Sequence, residues 1–361
     1  MKVLFIVSHL NPQGPNRQLF YLCKKINRNT VEPIVVTTSQ YSFKNSLYND
    51  FKSINVKVYN LEMSKINSIF LAKKRIQKII DLKNIDVILS YGFRSDFIAH
   101  DLKNVLKITS VRNTLLFNWE MTWGFILGKI FGNINLYYIQ KFDFVIACSS
   151  SVSNYLKTLN LNAIPIRNSI DGFLVRKKYL IEGKNNSIKY KRFITISSRL
   201  KGKNIEFLLE SFIQEKMSDY HLYIAGYVEQ KLQDIYRDYL NIHFLGHIDS
   251  LNKLLGESHF FISASLHEGM PNAVLEAMNV GTPVLLSNIE PHKEILKVSS
   301  SKVGLLFENN SFESLFNSVK EIVNQDYDLL SDNCVKTIDN KFSADEMVRK
   351  YENLFKDINR S

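Results

Sequence analysis

Cysteine is scarce. Cys23, Cys148 and Cys334 are the only three in 361 residues, and they stand too far apart to form a C-x-x-C pair or a metal-ligand spacing. A disulfide framework and a structural zinc site are therefore without support, and the thiols read as reduced ones in a cytosolic setting. Long apolar runs are missing too. The nearest candidate, 115–139, is broken by Glu120, Lys129 and several polar residues, so no segment reads as a membrane span. The opening Met1-Lys2-Val3-Leu4-Phe5-Ile6-Val7 puts one positive charge before a very short apolar stretch, which reads as a first strand and not as a signal peptide. There is no low-complexity tract and no repeat at the periods of solenoids or propellers.

What is present is an alternation of short apolar runs with helix-length segments, the pattern of parallel sheets covered by helices. Strands are expected at Val3–Val7, Ile34–Thr37, Val56–Tyr59, Val87–Ser90, Leu106–Val111 and Phe144–Ala147. A second set is expected at Phe193–Ser197, His221–Ala225, Ile242–Leu245, His259–Ile262, Pro283–Leu286 and Val303–Leu306. Helices are expected over 16–28, 64–82, 204–216, 228–239, 251–256, 271–279, 311–324 and 343–357. Between the sets, Pro165 and Asn168 open an irregular stretch that includes the polar Lys184-Asn185-Asn186-Ser187. This gives an α/β chain of two Rossmann-like domains, 1–170 and 171–342, with a helix over 343–361 that crosses back to the first domain. Neither domain's first strand leads into G-x-G-x-x-G, so a nicotinamide or flavin site is poorly supported.

Charge is one-sided. Residues 1–170 hold 22 Lys and Arg against 9 Asp and Glu, a net +13, whereas 171–361 hold 24 against 26. A basic first half suits a polyanion, an anionic membrane or a phosphorylated substrate, and equally suits lysines that merely solvate helix faces. Within it, Lys65 to Ile80 combines Ile66, Ile69, Phe70, Ile76, Ile79 and Ile80 with Lys73, Lys74, Arg75 and Lys78. That helix, with the aromatic stretch Phe117 to Phe125, reads as a surface that rests on an anionic leaflet; the alternative is a helix packed on its own sheet.

The chemistry concentrates in His267-Glu268-Gly269-Met270-Pro271-Asn272-Ala273-Val274-Leu275-Glu276. A strand ends, a glycine turn exposes backbone N–H groups, and a helix starts near Pro271, whose missing N–H is not needed there. Such a helix start is suited to a phosphate. Glu268 and Glu276 then flank an anion site and accept hydrogen bonds from sugar hydroxyls, or they are a capping and a surface glutamate. The pair, with seven residues between, resembles the E-x7-E motif of retaining glycosyltransferases, in particular glycosyltransferase family 4. The text from Phe244-Leu245-Gly246-His247 to Gly281-Thr282-Pro283-Val284 is similar to that family almost throughout, and the first half more weakly so.

The resemblance implies a glycosyltransferase B-type fold, its two sheets facing each other across a cleft. It implies that Glu276 holds the nucleotide ribose, that Glu268 contacts the transferred sugar, and that Gly269, Met270, Pro271 and Asn272 line the sugar and diphosphate. In Ser197-Ser198-Arg199-Leu200-Lys201-Gly202-Lys203, cations sit where a strand gives way to a helix, which suits a diphosphate. By resemblance Arg199 and Lys203, with Lys201 as the reserve, neutralise the departing diphosphate. Asn11-Pro12-Gln13-Gly14-Pro15-Asn16-Arg17 resembles the family's glycine-glycine-x-x-arginine loop with Gln13 in place of the first glycine, leaving Gly14 as the donor-side residue. Arg112, where many members carry a histidine nearby, is either a substrate-binding or a buried structural arginine.

The implied reaction is retaining transfer from a nucleotide-sugar donor, UDP-linked by preference, to a carbohydrate or lipid-linked acceptor of bacterial surface polysaccharide. It implies no metal, no other cofactor and no nucleic-acid partner, and a cytoplasmic protein peripheral to the inner face of the membrane; oligomeric state is left open. A nucleotide-sugar epimerase on the same architecture and a catalytically silent sugar-nucleotide-binding subunit are the alternatives.

Overall fold

The computed structural model of the chain describes residues 1–39, 46–63, 68–172, 190–198, 201–248 and 251–358. It separates into two compact units, Met1–Ser169 with Ala344–Ser361, and Ile170–Ser343.

In the first unit the strands are β1 (Lys2–Val7), β2 (Glu32–Ser39), β3 (Lys57–Met63), β4 (Val87–Tyr91), β5 (Leu106–Val111), β6 (Phe144–Ala147) and the short β7 (Ile164–Pro165). They pair in parallel in the order β3-β2-β1-β4-β5-β6-β7. The helices are α1 (Gly14–Lys25), α2 (Tyr48–Ser53), α3 (Ser68–Lys83), α4 (Phe93–Ala99), α5 (Leu115–Trp123), α6 (Phe125–Ile139) and α7 (Ser150–Thr158). The strands read as unbroken apolar runs because both faces of the sheet are covered. Val3, Phe5 and Val7 of β1 join Leu19 and Leu22 of α1 on one face. Leu4 and Ile6 join Ile76 and Ile80 of α3 and Ile98 of α4 on the other.

The second unit repeats the plan with β8 (Lys191–Ser197), β9 (Tyr220–Gly226), β10 (Ile242–Gly246), β11 (Phe260–Ser263), β12 (Val284–Ser287) and β13 (Gly304–Phe307), ordered β10-β9-β8-β11-β12-β13. Its helices are α8 (Ile205–Phe212), α9 (Gln230–Tyr236), α10 (Leu251–Glu257), α11 (Asn272–Asn279), α12 (Glu290–Val298), α13 (Phe312–Val323) and α14 (Tyr327–Lys341). Phe193, Leu222, Ile224, Ile262 and Leu285 form a core with Leu208 and Phe212 of α8 and Leu315 and Val319 of α13. The chain ends its described course in α15 (Ala344–Ile358), which packs against α1 and sends Met347, Tyr351 and Phe355 into the core of the first unit.

One sequence expectation changes here, and a second segment gains a definite form. The helix expected from residue 65 is described from Ser68, and its apolar residues Ala72, Ile76 and Ile80 are buried against the sheet, so this face is not a membrane-facing one. Residues 64–67 lie outside the described chain. The stretch 115–139, broken by Glu120 and Lys129 and containing the aromatic run Phe117 to Phe125, is the helical pair α5 and α6.

In each sheet the chain order reverses beside the first strand, between β1 and β4 and between β8 and β11. The carboxyl ends of strands at such a reversal form the ligand crevice of open α/β sheets. Close to the first of these, Asp96 of α4 is only 2% exposed and accepts hydrogen bonds from Ser90 of β4 and, at 2.7 Å, from Thr109 of β5. Burial pushes its pKa up to about 6 against the pull of those two hydroxyls. The neutral acid is thus favoured in the fold. The stabilisation is complete below the unfolded value near 4 and is lost as pH rises through about 6, at a cost of roughly 2–3 kcal/mol. Urea unfolding of the first unit across pH 4–7, compared between the wild type and Asp96→Asn, is expected to show this slope in the wild type and its loss in the variant.

Candidate active site

Two loops meet at the carboxyl ends of β8 and β11. After β8 the chain reaches a single tight turn at Lys201–Lys203 before α8. After β11 it runs through 264–271 to α11. Pro271 lies just before the helix, with φ −75° and ψ 101°, instead of within its first turn. Gly269, Met270 and Pro271 are buried, and Glu276, the fifth residue of α11, is half-buried.

The loops are tied together by the backbone. Leu266 N donates to Gly202 O at 2.8 Å. Gly202 lies flat against His267: a Cβ built there would be 2.4 Å from the imidazole Cε1, so a side chain at 202 would push the loops apart. This approach delivers Lys203 to Glu268, with Nζ 2.6 Å from Oε1. The two side chains are 21% and 17% exposed. Ser265 Oγ donates to the same oxygen at 2.9 Å. Burial alone would raise the pKa of Glu268, but the ammonium of Lys203 and its hydrogen bond, His292 and the Ser265 hydroxyl together hold it below the usual value. Glu268 is an anion at neutral pH, aimed at the loop crossing.

A buried chain of polar groups holds this carboxylate in place. Ser287 Oγ, at the end of β12, donates to Ser265 O at 2.6 Å. His292 of α12 is fully buried, and its Nδ1 lies 2.9 Å from Ser287 O. Burial lowers the His292 pKa to about 4, so at pH 7 it is neutral, with the proton assigned to Nδ1 by that carbonyl. Its Nε2 is a buried acceptor without a hydrogen-bond partner among the described residues. Sequence reading missed Ser265, Ser287, His267 and His292. Isolated serines and histidines carry no spacing signal: the pairing of β11 with β12 brings Ser287 to Ser265, and the loop after β8 brings Gly202 to His267.

Of the residues singled out from sequence, the structure brings Lys203 and Glu268 into contact, sets Gly269, Met270, Pro271 and Asn272 in the adjoining turn, and places Glu276 on the helix that follows. Arg199 and the side chain of Lys201 lie outside the described residues. Gly14 and Arg112 belong to the first unit. Gly14 opens α1 with Pro15 beside it. Arg112 follows β5, with its guanidinium 5.3 Å from the Tyr91 ring and Nη1 3.4 Å from Ser110 Oγ. Among the described residues no three His, Cys, Asp or Glu side chains group as metal ligands. Asp326-Tyr327-Asp328, which spells D-x-D, is a helix start: the Asp326 carboxylate accepts from Leu329 N at 3.0 Å and caps α14. No described helix is long and apolar enough to cross a membrane.

Residues 191–325 match the family described as Glycosyl transferases group 1. UDP-Gal:alpha-D-GlcNAc-diphosphoundecaprenol alpha-1,3-galactosyltransferase of Escherichia coli is 32% identical over 115 residues, which are 32% of this chain and only 29% of that enzyme. The O-antigen biosynthesis glycosyltransferase WclY of Escherichia coli is 22% identical over 375 residues, covering 100% of this chain and 99% of that one. Anabaena HepE, solved in complex with UDP-glucose, has a TM-score of 0.77 at 14% identity, over 99% of this chain and 100% of that chain, a likeness of fold. The second unit carries the group 1 glycosyl transferase segment over residues 191–325, and the fold of the chain is like that of HepE.

Proposed function

We propose that this chain transfers a sugar, with retention of configuration, from a UDP-sugar to a hydroxyl of a lipid-linked oligosaccharide in bacterial surface-polysaccharide synthesis, at the cytoplasmic face of the membrane. The observation that carries the reading is the Lys203–Glu268 contact at the β8/β11 reversal, beside a glycine turn and the start of α11. The second unit binds the donor. Glu276 accepts from the ribose hydroxyls, and the turn at Gly269 to Asn272 lines the sugar and diphosphate. Glu268 faces the transferred sugar. Lys203 and Arg199 stabilise the charge that develops on the leaving diphosphate, in the role a divalent metal fills elsewhere. Most of the remaining rate enhancement comes from holding donor and acceptor in line. The first unit presents the acceptor. The complex of HepE with UDP-glucose supports the choice of base, and the names of the two Escherichia coli relatives support the class of acceptor.

The test is nucleotide release from UDP-, GDP- and ADP-sugars, with and without bacterial membrane extract. Release that needs both one donor and the extract is expected. Isomerisation without extract would replace the reading with epimerase chemistry. Glu276→Ala is expected to weaken nucleotide binding by roughly 10–100-fold through the lost charged hydrogen bonds. Arg199→Ala is expected to lower turnover about 100-fold with a smaller effect on binding. Unchanged transfer in both variants would remove the site assignment.

A further inference from the structure

The first unit has its own strand reversal, and polar groups gather there that the donor site does not use. His9 lies just past β1, Arg94 just past β4 and Arg112 just past β5, at the carboxyl ends of three neighbouring strands. His9 Nδ1, Arg94 Nη2 and Arg112 Nη2 are buried without a hydrogen-bond partner among the described residues. Neither guanidinium is ion-paired among them, and the nearby acid Asp96 is engaged by Ser90 and Thr109. Burial, with the charge of Arg94 adding to it, keeps His9 neutral. A buried polar group left unpaired costs about 1–3 kcal/mol, and more where it is charged. Two guanidinium groups, each with an unpartnered Nη2 at a strand reversal, match the oxygens of a phosphate or diphosphate.

The same site runs into an apolar surface. Arg112 is followed by Asn113 and Thr114 and then by α5. Helices α5 and α6 fold back on each other about Gly124, and Gly128 and Gly132 let them close: a Cβ on Gly128 would lie 2.4 Å from Glu120 Cα, and one on Gly132 2.7 Å from Leu116 Cδ2. This is the small-xxx-small spacing that brings helix backbones together. The close inner seam leaves large apolar side chains on the outer face. Phe125 and Ile126 are 69% and 73% exposed, and Ile130, Ile134 and Tyr137 continue the stripe at helical spacing. Residues 115–141 carry only Glu120, Lys129 and Lys141 as charges. Scattered apolar residues are ordinary on a surface, but a continuous stripe of this size marks a contact.

Charge decides what covers it. Exposed Lys129 lies over the Phe125 ring and exposed Lys141 over the Tyr137 ring, so lysines border the stripe itself. An apolar stripe edged by Trp123, Tyr137 and lysines suits the headgroup boundary of an anionic leaflet. A second copy of this chain would bring the same lysines against their own kind.

We propose that the first unit binds an amphiphilic acceptor, a long-chain lipid carrying a diphosphate. Arg94 and Arg112 take the diphosphate oxygens, His9 donates its ring Nδ1–H to the same group, and the outer face of α5 and α6 sits in the anionic leaflet along the lipid chain. The assignment rests on the reading of the acceptor as lipid-linked, and it adds where each end of that acceptor binds.

The test uses the full chain with phosphatidylcholine vesicles, with and without phosphatidylglycerol, together with separate titrations of geranylgeranyl diphosphate and inorganic pyrophosphate. The wild type is expected to sediment with phosphatidylglycerol vesicles. Ile126→Glu with Ile130→Glu is expected to weaken this about tenfold or more while UDP binding and melting temperature hold. Arg94→Gln and Arg112→Gln are each expected to weaken geranylgeranyl diphosphate binding about tenfold while vesicle binding persists. Pyrophosphate bound as tightly as the lipid diphosphate would overturn the proposal, since the hairpin would then add nothing. So would a wild type that ignores vesicles, or a dimer that the Ile126 and Ile130 changes dissociate. UDP binding lost in the wild type with vesicle binding intact would strike the donor reading and leave this one standing.

Discussion

Lys203→Ala is expected to lower sugar transfer by roughly 100–1,000-fold, the range for removing one preorganised charge from a site of developing anion. Two consequences separate in this variant. The first is electrostatic loss at the leaving group. The second is the fate of Glu268, whose cation was 2.6 Å away. Breaking a buried pair from one side costs about 3–5 kcal/mol, and with both side chains about one-fifth exposed a loss of roughly 2–4 kcal/mol in the second unit is expected. The pH dependence should reverse. In the wild type the Glu268 pKa is held low, so its stabilisation is present above the unfolded value near 4.3 and is lost only as pH falls through the lower folded value. Without Lys203, burial becomes the dominant influence and the carboxyl titrates higher, so stability falls as pH rises through its new value. A double-mutant cycle with Glu268→Gln decides the role. If Lys203 served only to balance Glu268, its removal from the Glu268→Gln background would be silent. If it holds the diphosphate, transfer falls there too.

Much of this site was legible in the sequence, because it is built from consecutive text. The strand, the glycine turn and the helix from Phe260 to Asn279 follow one another, and the position of Glu276 on the helix follows from its distance to Pro271. The strands were legible for the same reason. Both faces of each sheet are buried, so Val3–Val7 and Val284–Leu286 read as apolar runs whatever lies around them. What the sequence withheld depends on contacts between distant segments. Nothing in Gly202 signals that it must lie against His267, and nothing in Ser287 that it supports Ser265. The turn of the hairpin was not legible for a subtler reason. Glu120 and Lys129 interrupt its hydropathy, but the structure turns at Gly124 between them, so two short helices replace one interrupted span. Conversely, α3 has the composition of a surface-seeking helix, yet Ile76 and Ile80 are needed by the sheet beneath it. An apolar face reads the same in sequence whether it packs inward or outward.

The other large effect lies far from the chemistry. Removing residues 344–361 is expected to unfold the first unit while leaving the second folded. Helix α15 follows the second unit in sequence, but Met347, Val348, Tyr351, Leu354 and Phe355 are buried in the first unit's core with α1 and β1. At about 1.5–3 kcal/mol for each buried side chain, their burial contributes roughly 8–15 kcal/mol, the whole stability of an ordinary domain. Polar contacts fix the helix in register: Lys25 Nζ lies 3.0 Å from Asp345 Oδ1, and Asn27 N donates to Glu352 Oε1 at 2.9 Å. Hydrogen exchange on the shortened chain should show protection lost across β1, β2 and β4 and kept across β8 and β11. Tyr351→Ala in the full chain should cost about 3–5 kcal/mol by the same route, read as a lower melting temperature of the first unit alone. Protection retained in β1 and β4 of the shortened chain would mean that the core closes without α15 and that the helix only docks on it. The expected outcome has a functional edge. The proposed donor-binding unit, 170–343, is one continuous stretch of chain, whereas the proposed acceptor-binding unit closes only when the chain returns to it, so nucleotide binding should survive the truncation that abolishes transfer.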